Sequence, residues 1–425
     1  MKKVVIIGGG TGNFTVLRGL KDYSVDLRAI VSMADDGGST GILRDELGVL
    51  PPGDVRQCLI ALSNSSNMMR SLMNYRFENG GLEGHSFGNL LLSALEKVTG
   101  SFEKAVEEMG KILFIKGKVI PVTTHQVRLK MLLSNRKLLE GEREVYLSHE
   151  IDQGYKSIYL EPFPKANPHA IDEIMNADVI VLGPGGLHTS LIPNLLVEGL
   201  SAALRASTAK KAFVVNLMNR KGQTTGFKVS NYLEEIVRFI GKDIFDYILV
   251  NNESPPQELI EVYSEEGQIV ENDLKEDRVI ASPLLGGPKE IPKKDLLKRS
   301  LIRHDSKKLA QELIKIVNCL YDTLVKTSDC ITHILLERSL RAMVNKGFKV
   351  QSFCHALFLL RELNKQASSA EEALKELVVS MKKDLKFILI GKEQLTDFTL
   401  DMPILPLELA IETLHLLKKK KHSLC

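Results

Sequence analysis

The 425-residue chain has no tryptophan, and aromatic residues make up only 6% of it. Its five cysteines (Cys58, Cys319, Cys330, Cys354 and Cys425) are an odd number, with no CxxC pair and no histidine at metal spacing. That pattern excludes a disulfide framework and a structural zinc site. It places the chain in a reducing compartment, and a cytoplasmic protein is expected. No apolar run approaches the roughly 18 residues of a membrane span. The opening Met1-Lys2-Lys3 leads at once into Val4-Val5-Ile6-Ile7-Gly8, which is too short an apolar stretch for a signal peptide and reads as a first strand. Charge of one sign is missing too: 56 basic residues face 53 acidic ones. From Tyr321 onward there are 16 basic and 13 acidic residues, which leaves the first 320 neutral. A neutral body does not suit a nucleic-acid binder. The run Lys418-Lys419-Lys420-Lys421 reads as a solvated tail.

What is present is ordinary globular composition, 44% hydrophobic and 26% charged, which excludes collagen-like, coiled-coil and wholly disordered classes. The length exceeds one compact core and predicts two to three domains by the rough size rule.

Apolar runs alternate with helical-period segments from the start. Val4 to Ile7 is a strand, Asn13 to Leu20 a helix, and Leu27 to Met33 a second strand that ends on Ala34-Asp35-Asp36-Gly37-Gly38-Ser39. Strand, crossover and strand predict a parallel sheet. Val55 to Leu62, Leu90 to Val98 and Phe102 to Leu113 have helical spacing. Lys118 to Tyr146 reads as short strands forming a small antiparallel excursion. The alternation then returns. Asp178 to Leu182, Ala212 to Leu217 and Asp246 to Val250 are strands, while Ala170 to Asn176 and Leu195 to Ser207 are helices. Ser282 to Pro292 reads as a loop and Ser306 to Leu324 as a closing helix. The fold class is therefore α/β: a Rossmann-like, doubly wound, mainly parallel sheet over residues 1–325, with a mostly helical appendage over 326–425.

Ligands of open parallel sheets sit outside the carboxyl ends of the strands, so the loops there carry the functional reading. Gly8-Gly9-Gly10-Thr11-Gly12 allows close backbone approach and offers helix-opening amides to an anion, or else makes a tight structural turn. It fails the dinucleotide fingerprint, because Asn13 stands at the third position. Asp35 and Asp36 suit ribose hydroxyls or a magnesium ion, or else form an Asx turn. Asp54, after Pro51-Pro52-Gly53, is an N-cap or a further carboxylate on the same metal. Gly84-His85-Ser86-Phe87-Gly88-Asn89 is a second candidate anion site, with His85 as a base, a phosphate contact or a helix-start hydrogen bonder. Gly183-Pro184-Gly185-Gly186-Leu187-His188-Thr189-Ser190 repeats the strand, glycine loop and helix start. Asn216, Asn219, Asn251 and Asn252 lie after two more strands, where amides read a base or sugar or cap turns. Together these loops point to a phosphorylated ligand, a nucleotide with a pyrophosphate. No Walker A, HExxH or kinase set is present. Cys58, in an apolar helical stretch, reads as a small buried hydrophobe.

The blocks GGGTGNFTVLRGLK, VSMADDGGSTGILRDELGVLPPGDVRQCLIAL and GHSFGNLLLSALEKVTGSFEKAVEE resemble the YvcK family, the gluconeogenesis factors, within the CofD superfamily. So do VLGPGGLHTSLIPNLLVEGL, FVVNLMNRKGQTTGFKVS, ILVNNESPPQELIEVY and LIRHDSKKLAQELI, in order to about residue 320. The resemblance implies a Rossmann-like fold. For the YvcK branch it implies a cytoplasmic protein that binds a UDP-sugar such as UDP-N-acetylglucosamine and acts in carbon flux and cell-wall precursor control. For the other branch, 2-phospho-L-lactate transferase, it implies magnesium-dependent transfer of a phospholactyl group from a guanylyl carrier to a deazaflavin. Carried over by motif, Gly9, Gly10, Thr11 and Gly12 and the start at Ser86, Gly88 and Asn89 would hold phosphates. Asp35 and Asp36 would face the ligand, and would bind magnesium with Asp54 in the transferase reading. Gly185 and Gly186 would line the same crevice.

The chain departs from the family in three places. Asn13-Phe14-Thr15 replaces a usual Leu-Ser, Gly186 and His188 stand where Ser and Tyr are common, and Asn219-Arg220-Lys221-Gly222-Gln223-Thr224 replaces a Thr-Gln-Pro-Gly-Glu-Thr type of loop. These changes fall where base or sugar would be chosen. No nucleophile or base is assured in the loops, which favours a regulatory ligand binder over an enzyme. Phosphoryl transfer by positioning alone keeps the transferase alternative open. An NAD-dependent dehydrogenase is disfavoured by the failed fingerprint. Magnesium with the nucleotide, a regulatory protein partner and a homodimer are further expectations.

Overall fold

Val4 to Ile7 are wholly buried within strand β1 (Lys2–Gly8). A run that is apolar on both faces belongs to a parallel strand covered on both sides. β1 pairs in parallel with β2 (Val25–Val31), which pairs with β3 (Lys118–Pro121). Two strands from the intervening chain, β4 (Arg128–Leu133) and β5 (Leu138–Glu140), form an antiparallel sheet with β6 (Tyr155–Glu161), in the order β5-β4-β6. On the other side of β1 lie β7 (Val179–Leu182), β8 (Lys210–Val214), β9 (Tyr247–Asn251) and β10 (Val279–Ser282). The main sheet runs β10-β9-β8-β7-β1-β2-β3, all parallel.

This order builds outward from the centre in both directions. Val4 pairs with Leu27 on one side and Val179 on the other. The loops after β1 and β7 therefore leave neighbouring strand ends in opposite directions, and a crevice opens between them. The fold class read from the sequence is the observed one. The structure is a computed structural model that describes residues 1–287 and 302–318, a unit ending at Val317. The domain boundary at 325, the appendage 326–425, the lysine tail, the four other cysteines and the end of the closing helix lie outside the described residues.

The first half of the unit carries six helices: α1 (Gly10–Leu20), α2 (Gly38–Leu47), α3 (Gly53–Leu62), α4 (Asn67–Asn74), α5 (Phe87–Thr99) and α6 (Phe102–Ile112). Cys58 is buried in α3, and that burial pushes its thiol pKa well up. Several local expectations change. Lys118–Pro121 belongs to the parallel sheet, because its apolar residues continue the core beside β2. Residues Glu142–Leu147 form a helix, α7, in place of a strand. The helix expected over Leu195 to Ser207 is broken into Ile192–Leu195 and Leu200–Ala206 by Gly199, whose φ is +96°. Among the described residues no helix is long and apolar enough to cross a membrane.

Residues 306–318 are helical and press on α1 at Gly19, where a Cβ would overlap the Ser306 carbonyl oxygen and lie 2.8 Å from Ala310 Cβ. Gly19→Ala is therefore expected to cost about 1–3 kcal/mol, the usual price of overpacking, and to lower the melting temperature by several degrees. Scanning calorimetry checks this. An unchanged transition would mean that the helix does not depend on this contact.

Candidate functional site

The loop after β1 opens α1 without a side-chain cap, since the N-cap residue is Gly9. The first amides of α1 therefore stand ready for an anion. Gly12 lies directly under the loop after β7: a Cβ there would overlap the Pro184 carbonyl oxygen. That second loop is held from the end of β8. Asn216 accepts from the Gly185 amide at 3.1 Å and donates to the Gly185 carbonyl at 2.9 Å. A Cβ on Gly9 would sit 2.6 Å from the Ser190 hydroxyl and 2.9 Å from an Asp54 carboxylate oxygen. Gly9, Gly10, Gly12, Asp54, Gly185 and Asn216 thus meet at one place.

Asp54 is not the N-cap of α3. Pro52 holds that position, and Asp54 in the first turn directs its carboxylate to the glycine loop. Asp35 accepts from the Gly37 amide at 2.9 Å and is hydrogen-bonded by Thr40. Its second oxygen packs on Gly53, which links the β2 loop to the start of α3. Asp36 accepts from the Arg143 amide at 2.8 Å and packs on Gly141, whose φ of +103° and lack of a side chain permit the approach. The antiparallel excursion is thereby drawn to the crevice. It delivers Glu142, which bonds to Thr189 of the β7 loop.

Glu142 was not legible as a site residue. Its only signal was the acid-rich start Glu140-Gly141-Glu142-Arg143-Glu144, which marks a helix N-terminus but not its direction. The four carboxylates come from three separate segments and are half-buried. Burial raises the pKa of Asp35, Asp36 adds to the rise, and the Gly37 amide, Thr40 and Arg44 oppose it. Burial raises Glu142 well above the ordinary 4.5, reinforced by the charges of Asp35, Asp54 and Asp36.

The start of α5 is arranged differently. Ser86 caps it by accepting from the Asn89 amide. The Asn89 side chain donates to Ser39 at 3.3 Å and accepts from Arg56 Nε at 2.8 Å, while His85 Nδ1 lies 3.0 Å from the same Ser39 hydroxyl. Gly88 packs on Arg56 and Met73. Ser86 and Asn89 therefore join Ser39, Arg56 and His85 in a buried polar network beside the Asp35–Ser39 loop, with Gly88 packed against it. Asn219 is buried too, donating to the Phe227 carbonyl and accepting from the Tyr232 hydroxyl. Asn251 and Asn252 cap local turns near β10. His188 is buried edge-on to Tyr155, and its pKa falls to about 4 because burial disfavours its charge and Arg238 adds to this.

Among the described residues no three His, Cys, Asp or Glu side chains converge as a preformed metal cage. Magnesium rarely needs one; it binds through one or two carboxylates together with the phosphates of its ligand. The hard oxygens of Asp54, beside the glycine loop, suit that mode.

An open parallel α/β sheet with glycine loops at its switch point defines a Rossmann-like protein with a crevice at that point. The comparisons with known proteins narrow this. The model of the 2-phospho-L-lactate transferase CofD family matches residues 4–284. The gluconeogenesis factor of Bacillus subtilis is 38% identical over 318 residues, 74% of this chain and 98% of that protein. The gluconeogenesis factor of Halalkalibacterium halodurans is 43% identical over 254 residues, 59% of this chain and 78% of that one. The crystal structure of a UPF0052-family protein from Bacillus halodurans superposes with a TM-score of 0.67 at 38% identity, covering 74% of this chain and 98% of that one. The chain belongs to the gluconeogenesis factor (YvcK) branch of the CofD family.

A raised carboxyl pKa has a defined sign in stability. Below about 4.5 Glu142 is protonated folded or unfolded, and above that its ionisation is favoured only in the unfolded chain. Stability is therefore lost as pH rises from 4.5 toward the folded pKa. Glu142→Gln is expected to melt higher than wild type at pH 8 and equally at pH 4, as thermal unfolding across that range would read. A gap independent of pH would remove Glu142 from the charge cluster.

Proposed function

We propose that this protein is a cytoplasmic regulator that binds a UDP-sugar of the UDP-N-acetylglucosamine type in the crevice between β1 and β7. It would act in carbon flux and cell-wall precursor control, and its ligand would bias an equilibrium read by a protein partner. The observation that carries the reading is the uncapped start of α1 at Gly9–Gly12, facing the β7 loop at the switch point. Backbone amides there suit a pyrophosphate, and the neighbouring carboxylates suit sugar hydroxyls. The names of the relatives support a place in carbon metabolism. Binding in preference to turnover is supported by the use of both loop imidazoles within the protein: His85 on Ser39 and His188 against Tyr155.

A second reading, a CofD-like magnesium-dependent transferase, is favoured by the Asp54 carboxylate at the anion loop, with the charges of Asp35 and Asp36 close to the same Glu142. In that reading carboxylates among Asp35, Asp36 and Asp54 would hold the ion together with the ligand's phosphates, and the glycine amides would hold the phosphates. Magnesium would supply positive charge to the pyrophosphate. The chain's own part is to orient the phosphoryl group and exclude water.

Thermal unfolding with UDP-N-acetylglucosamine, UDP-glucose, GDP and GTP, each with and without magnesium, separates the two. A ligand at 100 times its dissociation constant adds about 2.7 kcal/mol, a readable shift. A shift with UDP-sugars alone supports the regulator. A magnesium-dependent shift with guanine nucleotides alone supports the transferase. Asp36→Ala is expected to weaken the effective ligand about tenfold or more by calorimetry, the worth of one charged hydrogen bond, with the fold retained. Unchanged affinity would remove Asp36 from the site.

A further inference from the structure

Helix α7 has only six residues, Glu142–Leu147, and so cannot hold itself in place. Its N-terminal end is tied to the β2 loop, where Asp36 accepts from the Arg143 amide at 2.8 Å. Its C-terminal end leaves carbonyls that need donors. Those donors come from the opposite half of the sheet. Gln223, buried in the loop after β8, aims its side-chain amide at the carbonyls of Val145 at 3.0 Å, Tyr146 at 2.7 Å and Ser148 at 3.4 Å. From the same loop the Arg220 guanidinium lies 3.4 Å from the centre of the Tyr146 ring, a close cation–π contact. The Gly222 carbonyl accepts from the Asp152 amide at 3.1 Å, and Gly222 packs against the His149 backbone.

The loop itself is anchored. Thr224 accepts from the Arg220 amide at 2.9 Å and from the Tyr232 hydroxyl at 3.1 Å, and Tyr232 sits on helix Val229–Ile240. A fixed loop on one side of the switch point therefore grips a helix whose other end is fastened on the far side.

We propose that Arg220 and Gln223 are positioning residues that latch α7 across the crevice. They hold Glu142 in place and preserve the Asp36–Arg143 contact, and ligand affinity depends on them without their touching the ligand. The affinity part rests on the crevice being the ligand site. The chemistry at position 223 is specific. A carboxamide donates to carbonyls, whereas an ionised carboxylate only accepts and would repel them.

The test is Gln223→Glu in the full chain, with Tyr146→Ala and Tyr146→Phe as a second pair. Amide hydrogen exchange over residues 142–148 reads the latch directly, and calorimetry with UDP-N-acetylglucosamine reads its consequence. The expected result is exchange faster by about tenfold or more in Gln223→Glu and Tyr146→Ala, with affinity reduced about tenfold, as loss of satisfied buried carbonyls implies. Tyr146→Phe keeps the ring under Arg220 and should retain wild-type behaviour in both. Wild-type exchange over 142–148 in folded Gln223→Glu overturns the latch, whether or not that nucleotide binds. Faster exchange with unchanged affinity overturns the link to the ligand. Absence of UDP-N-acetylglucosamine binding in the wild type counts against the ligand reading alone, and the exchange result still decides the latch.

Discussion

The Pro184 carbonyl rests on the backbone of Gly12, and that close approach sets the geometry of the crevice. β1 and β7 are hydrogen-bonded neighbours, so their exit loops start a strand spacing apart. A side chain at position 12 would force the loops apart and carry the start of α1 away from the β7 loop. With glycine there, backbone faces backbone, and what lines the gap is amides and carbonyls. Asn216 extends the same arrangement to the end of β8 by bonding both polar groups of Gly185. Three consecutive strand ends are thus locked into one rigid rim, and rigidity is what a binding site for a compact anionic group requires.

Onto that rim the fold adds four acids from segments distant in sequence. Placing Asp35, Asp36, Asp54 and Glu142 together opposes folding, as the raised pKa values of Asp35 and Glu142 record. Such an arrangement gains nothing for stability. The local partners soften it: the Gly37 amide and Thr40 on Asp35, the Arg143 amide on Asp36 and Thr189 on Glu142. Those hydrogen bonds keep like charges close at a cost that packing elsewhere must offset. A ligand that brings hydroxyl donors or a divalent cation would relieve the repulsion on binding.

The parallel sheet was legible because its strands are unbroken apolar runs, Val4 to Ile7 and Val179 to Leu182, each ending on glycine. The loops at those ends were legible for the same reason. What those loops do with their side chains was not. Asn89 stands in a candidate anion site and Asn219 has the amide of a base reader, yet a buried arginine and a tyrosine hydroxyl take them up. Only three-dimensional neighbours decide whether an amide faces a ligand or the core. Asp54 illustrates the converse. Its sequence position suits a cap, but Pro52 takes that role, and the freed carboxylate turns to the glycine loop. α7 escaped notice because six residues are too few for a periodicity signal, and the strands around it set the expectation.

The antiparallel sheet β5-β4-β6 is therefore more than an insertion on the edge of the main sheet. β4 accepts the Gly141 amide through the Leu129 carbonyl at 2.7 Å, which fixes where the chain turns into α7. β6 contributes Tyr155, whose ring meets buried His188 in the β7 loop and whose hydroxyl bonds Glu235 of helix Val229–Ile240. The excursion touches the rim at Asp36, at Thr189 and at the loop after β8. These contacts lie on both sides of the switch point. Any ligand that draws the two halves together must work against, or with, the same set of contacts. The small sheet is thus tied to both sides of the crevice, through a helix whose position is wholly a matter of tertiary contact.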